Sequence, residues 1–356
     1  KRSKSKKMHL FGNYVTIWNI LSKKRRWQLC FLMLVIVTSG FAEVISLGAV
    51  YPFLAILSSP SKSWKIEIIK KLSSQIGITT PEGLVLPITI IFMGTAMLAS
   101  SIRLMNVWLN GRLAGAIGCD LSCEAYRRSL YQPYSVHLVK SSSVMINTII
   151  TNVNGTIASL NAGLSLITYS IVLISILTAL LLTSWKIACT SILLFGGSYL
   201  GIGALTQPVL GKNSKHIVIS SENQIKTLQE GLGSIRDVIL DNSQELFIKM
   251  YEKNDYKLRR LNAQNQVLAT FPRYLMEGFG MVIIALVAYI MVKTNDSLTN
   301  AIPILGALAL GAQRMLPAIQ QIYNSLARMK ATTTQVKSVL KMICQKIPSK
   351  DISNSN

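Results

Sequence analysis

Acidic residues are scarce in this sequence. The 356 residues include 15 Asp and Glu against 37 Lys and Arg, and only 15% of the chain is charged. Beside 50% hydrophobic residues and a mean hydropathy of +0.40, so little charge excludes an ordinary water-soluble domain of this length. Histidine is rarer still: His9, His137 and His216 lack ligand-like spacing and read as solvated loop residues. The five cysteines form no framework. Cys30 and Cys189 sit in apolar stretches, Cys344 stands alone, and Cys119 and Cys123 have no second pair to complete a zinc site. A phosphate-cradling G-x-x-x-x-G-K-[ST] is also missing. The only Gly-Lys pair, Gly211 and Lys212, is followed by Asn213, so the sequence gives this chain no means of hydrolysing ATP alone.

What is present is a series of uncharged blocks, the longest running from Ser141 to Trp185. About 20 helical residues cross a hydrocarbon core, and six blocks qualify: about 28–57, 84–111, 160–183, 187–210, 273–292 and 298–327. The expectation is an all-α membrane protein with a basic tail and elbow helix over 1–27, a six-helix membrane domain over 28–327 and a basic tail over 328–356. The net charge of +22 invites a nucleic-acid reading, but its distribution argues against it. With the N-terminus inside, 27 of the 37 Lys and Arg fall on the cytoplasmic side, which is the positive-inside pattern, and both termini are expected there.

Between these blocks the chain is patterned. Tyr14, Ile17, Trp18 and Leu21 share a helical face ahead of four cations, as in a helix lying in the headgroup layer. Ile66, Ile69, Leu72 and Ile76 suggest an amphipathic external helix, or a loop packed on neighbouring spans. The two long cytoplasmic segments read as extensions of membrane helices that reverse at Pro133 and near Gly231 and Gly233.

Charge at membrane depth is confined to Glu43, Arg103, Glu277 and Arg314, with Arg112 and Arg273 near the edges. Such residues usually turn toward a partner or a cavity, because an arginine at a helix centre costs about 2.5–3.5 kcal/mol on insertion scales. Arg103, Asn106 and Asn110 share a face, and Arg314, Gln321 and Arg328 form a polar stripe accompanied by Asn324. Facing each other, the two would line a basic, wet cavity. The alternative is structural: Arg273 paired with Glu277 four residues on, or Arg103 paired with Glu43 or Glu277. Excess guanidinium suits a phosphate, so a phosphorylated amphiphile is the expected ligand.

The segments FAEVISLGAVYPFLAIL, Arg103, QEGLGSIRDVIL, PRYLMEGFG and QRMLPAIQQI resemble the transmembrane domain of an ABC exporter, in particular bacterial lipid-linked oligosaccharide flippases of the PglK type. The resemblance spans about 14–340. It implies a homodimer in the bacterial inner membrane, moving a polyprenyl-pyrophosphate-linked glycan with ATP and Mg bound on a nucleotide-binding domain that this sequence does not contain. It also implies that Arg103, Arg273 and Arg314 meet the pyrophosphate, with Glu43 and Glu277 at matching acidic positions and Asn106 and Gln321 beside them. The helix over 63–76 corresponds to one that engages the polyprenyl tail. Pro133, Tyr134 and His137 in one reversal, and Gly231, Arg236 and Asp237 in the other, correspond to coupling helices. Other readings are an exporter of peptides, drugs or other lipids, an ATP-independent carrier, and a membrane-anchored interaction protein that transports nothing.

Overall fold

The computed structural model describes residues 12–58, 80, 82–139, 141–183, 196–293 and 298–345, and these are helical almost throughout with no strand among them. A helix over 12–20 (α1) leads into α2 (Lys23–Ser58). A short 3-10 turn opens α3 (Val85–Leu130). The first reversal is α4 (Tyr134–Val139). Then α5 (Ser142–Asn147) passes through a π turn, Thr148–Asn152, into α6 (Val153–Thr183). Next come α7 (Gly197–Gly233), the second reversal α8 (Ile235–Leu240), α9 (Gln244–Lys293), α10 (Leu298–Ala331) and α11 (Thr333–Ile343).

The helices are long even though prolines lie inside them, Pro208 in α7 and Pro272 in α9. At about 1.5 Å per residue, the 46 residues of α3 span roughly 70 Å and the 50 of α9 about 75 Å. Both are more than twice a hydrocarbon thickness of about 30 Å. Two described helices, Val85–Leu130 and Ser142–Thr178, are long and apolar enough to cross a membrane. Only 6% and 17% of their most apolar windows are buried, so most of this apolar surface is left open within the chain. The expected fourth span is described only from Gly197 onward, and the expected external helix over 63–76 lies outside the described residues.

Two apolar clusters hold the bundle. In the first, Leu32 and Ile36 of α2, Leu113, Ile117 and Leu121 of α3, and Val153 and Leu164 of α6 pack together with Ile17 and Leu21. The face carrying Ile17 and Leu21 is therefore buried in protein, and Tyr14 donates to or accepts from Ser159 at 2.5 Å, while Trp18 is the exposed member of that set. In the second cluster, Ile176, Leu210, Met276, Met315 and Ile319 join α6, α7, α9 and α10. Polar bonds brace the far end: Ser221 donates to Asn147 at 2.7 Å and Asn213 to Asn265 at 2.8 Å.

Of the expected basic tail over 328–356, residues 328–345 are described, and these are helical. Arg328 to Ala331 complete α10, and α11 folds back so that Val336, Val339, Leu340, Met342 and Ile343 are buried in the first cluster. Lys337 and Lys341 lie on its exposed side, so a basic composition conceals an apolar face.

Gly118 sets the approach of α3 to α6, because a Cβ there would collide with Ile157 Cγ1 and Cδ1. Gly118→Ala is expected to cost about 1–3 kcal/mol by overpacking. Adding Ile157→Ala should restore part of the loss; strictly additive losses in thermal unfolding would show that the two side chains do not meet.

Candidate functional site

The site is assembled by faces of four helices. On α3, Arg103, Asn106 and Asn110 recur at three and four residues, so their side chains stack along one side. α6 supplies Asn161, Ser165, Thr168 and Tyr169 at the same kind of spacing, α10 supplies Gln321, and α2 adds Ser39. These surround a cavity of about 590 Å³. Val172, Ile176, Pro317 and Ala318 make its apolar part, so one opening offers both polar groups and hydrocarbon.

Asn106 is only 2% exposed and accepts from Asn110 Nδ2 at 2.8 Å. The bond ties the two amides together on one face of α3. Asn110 Oδ1 is buried with no hydrogen-bond partner among the described residues, an acceptor whose desolvation a bound donor would offset. Thr168 is occupied differently, its hydroxyl donating to the Leu164 carbonyl at 3.0 Å, so it contributes mainly shape.

Arg103, Asn106 and Gln321, singled out by spacing, line one cavity. Asn161, Ser165 and Thr168 are additional, and their four-and-three periodicity was readable, but uncharged residues stand out poorly in an apolar run. Asn324 and Arg328 continue down α10 yet open, with Asn265, Gln266 and Thr270 of α9, onto a separate space of about 410 Å³. Glu43 and Arg314 lie on α2 and α10, but their side chains fall outside the described residues.

Arg273 is not brought to the four-helix cavity. Its Nε donates to Glu277 Oε1 at 2.8 Å, both side chains are about half exposed, and the guanidinium stands 6.0 Å from the Tyr274 ring. Pro272 and Met276 hold the buried face of α9, which places Arg273 and Glu277 one residue round, on the outside. Of the two readings of this pair, the intrahelical ion pair is the one present within one chain.

The reversals are short helices. α4 follows Pro133 and exposes Tyr134 and Leu138, with His137 half-buried. α8 exposes Arg236 and Asp237 together with Ile235, Ile239 and Leu240, leaving Val238 as its buried anchor. α7 runs through Gly231 and Gly233 before breaking at Ser234. At Gly231 a Cβ would stand 3.2 Å from the Phe247 ring, so the residue permits close packing of α9 rather than ending the helix.

Near the start of α2, Arg25 makes a two-point ion pair with Asp120 of α3, at 2.7 and 3.2 Å. Its hydrogen bond to Arg25 holds the Asp120 carboxyl below the usual aspartate range. A depressed folded-state pKa means that the contribution is complete above the ordinary value, about 3.9, and disappears as pH falls through the depressed one. Because Asp120 is 45% exposed, the pair contributes about 0.2–1 kcal/mol. Asp120→Asn should lower stability slightly near neutral pH and flatten the acid limb of thermal stability below about pH 4. An unchanged acid limb would show that the pair carries no linkage.

No protein-family model matches the chain.

Proposed function

We propose that this chain is the membrane-spanning part of an ABC exporter that moves a lipid-linked saccharide, with a polyprenyl-pyrophosphate glycan as the substrate class. The observation that carries the reading is the cavity in which Arg103, Asn106, Asn110 and Gln321 meet the apolar surfaces of Val172 and Ile176. A guanidinium and fixed amides suit pyrophosphate oxygens and sugar hydroxyls, and the hydrocarbon wall suits a lipid. Broad apolar exposure supports a lipid surround: Leu86, Met97 and Leu104 of α3 and Phe41 of α2 are each 65–73% exposed.

In this reading the molecule has six spans with both termini on the cytoplasmic side of a bacterial inner membrane, and works as a homodimer. α4 and α8 dock ATP-binding domains, which supply Mg and hydrolysis, and their exposed Tyr134, Leu138, Ile235 and Leu240 form the docking knobs. This reading assigns Arg273 and Glu277, exposed on one chain, to the vestibule between two. Alternating access then comes from rigid movement of the long helices.

The test is ligand discrimination by the full chain reconstituted in vesicles. A short-chain polyprenyl-pyrophosphate disaccharide should bind at least about tenfold more tightly than the same disaccharide on an uncharged polyprenol, since one charge-assisted contact contributes about 1.5–3 kcal/mol. Equal affinity for the two would end the phosphate reading, and binding of neither would end the lipid-saccharide reading.

A further inference from the structure

A second amphiphilic site lies on the opposite side of α3. Between the first turns of α2 and the Trp108–Ala116 region of α3 is a space of about 660 Å³. Its polar rim carries Lys24 and Arg112, and its walls carry Trp27, Phe31, Trp108 and Leu109. Arg112 follows Arg103 by nine residues, about half a turn round the helix, so the two sites open in different directions.

The cations here differ in availability. Arg25, also on the rim, is engaged by Asp120 and Gln28, and Arg26 donates to the carbonyls of Trp18 and Asn19. Arg112 makes no salt bridge among the described residues and is steadied by stacking 5.0 Å from the centre of the Trp108 ring, whereas Lys24 makes no direct salt bridge but lies close enough to Asp120 to help hold its carboxyl down, as a looser neighbour than Arg25. Trp27 is 78% exposed, Trp108 56% and Phe31 55%. Exposed indoles beside cations, Trp27 at the start of α2 and Trp108 midway along α3, are the pattern that sits at a membrane interface. Water would leave this aromatic wall uncovered, and a soluble partner would have to bury both cations against its own acids.

We infer that this is a binding site for an anionic phospholipid, its phosphate between Lys24 and Arg112 and its acyl chain descending past Trp108 and Phe31. The inference rests on α3 crossing a bilayer and is independent of what the four-helix cavity carries. The lipid ties α1 and the start of α2 to the cytoplasmic leaflet, where charged lipid is met by the excess of basic residues on that side.

The site can be read by its own tryptophans. With Trp18→Phe, Trp64→Phe and Trp185→Phe, Trp27 and Trp108 remain as reporters in the full chain. In mixed vesicles, phosphatidylglycerol with brominated acyl chains should quench them with an apparent affinity about fivefold or more above that of brominated phosphatidylcholine. Lys24→Gln with Arg112→Gln should make the two lipids equal, whereas Arg112→Lys should keep most of the preference. Equal quenching before those substitutions, a preference that survives them, or a preference abolished by millimolar inorganic phosphate would overturn the lipid site while leaving the membrane reading intact. No quenching by either lipid would overturn both.

Discussion

Val339→Asp is expected to unfold the end of the molecule where α11 is docked. Val339 is 1% exposed and packs within a cluster that includes Ile17, Leu113, Ile117, Leu121 and Val153. An aspartate there loses the apolar transfer energy of valine and leaves a carboxylate among aliphatic groups. The combined cost is on the order of 4 kcal/mol, most of it desolvation that protonation only partly relieves. In a chain of this size such a loss lowers the melting temperature by roughly 5 °C. It should also open cleavage sites around Ser129 and Thr334, whose bonds to Met342 Sδ and Ser214 Oγ depend on the docked helix. Lys337→Asp, two residues away on the exposed side, serves as the control and should move the melting temperature little. Comparable losses in both variants would mean that α11 is not held by its apolar face.

The same helix shows where the sequence is easily misread. Val336, Val339, Leu340 and Ile343 recur at three, one and three residues, a helical face by any count, but they are interleaved with lysines and follow the last hydrophobic block. Charge sums describe a segment and faces describe a helix, and only the second decides burial. The all-α class, the long helices and the reversal after Pro133 follow from hydropathy, period and proline chemistry, which are local properties. The Arg103, Asn106 and Asn110 face was equally local. Arg273 was not: a four-residue spacing to Glu277 is compatible with a cavity pair and with a pair on one helix, and the choice depends on which side of α9 buries Met276. The α6 contribution was hidden for another reason. Asn161 and Ser165 are polar without being expensive, so nothing in composition marks them as functional rather than as helix-packing residues.

Arg103→Glu should separate the phosphate role from a purely structural one. In the four-helix cavity the substitution replaces an obligate cation with an anion beside Asn106, whose amide is already fixed by Asn110. For a pyrophosphate ligand the loss comprises a charge-assisted bond and an added like-charge repulsion, together at least about 3 kcal/mol, or a hundredfold and more in affinity. Arg103→Gln should show the first part alone, about tenfold to a hundredfold. The uncharged polyprenol disaccharide reports on fold and cavity shape, and its binding should be nearly unaffected in both variants. Asn106→Leu gives the complementary pattern, because losing a buried amide partner disturbs Asn110 and weakens charged and uncharged ligands together. If Arg103→Glu instead weakened both ligands equally, with a lower melting temperature, the guanidinium would be a strut between helices. The anionic substrate class would then have no residue on α3 to recognise it.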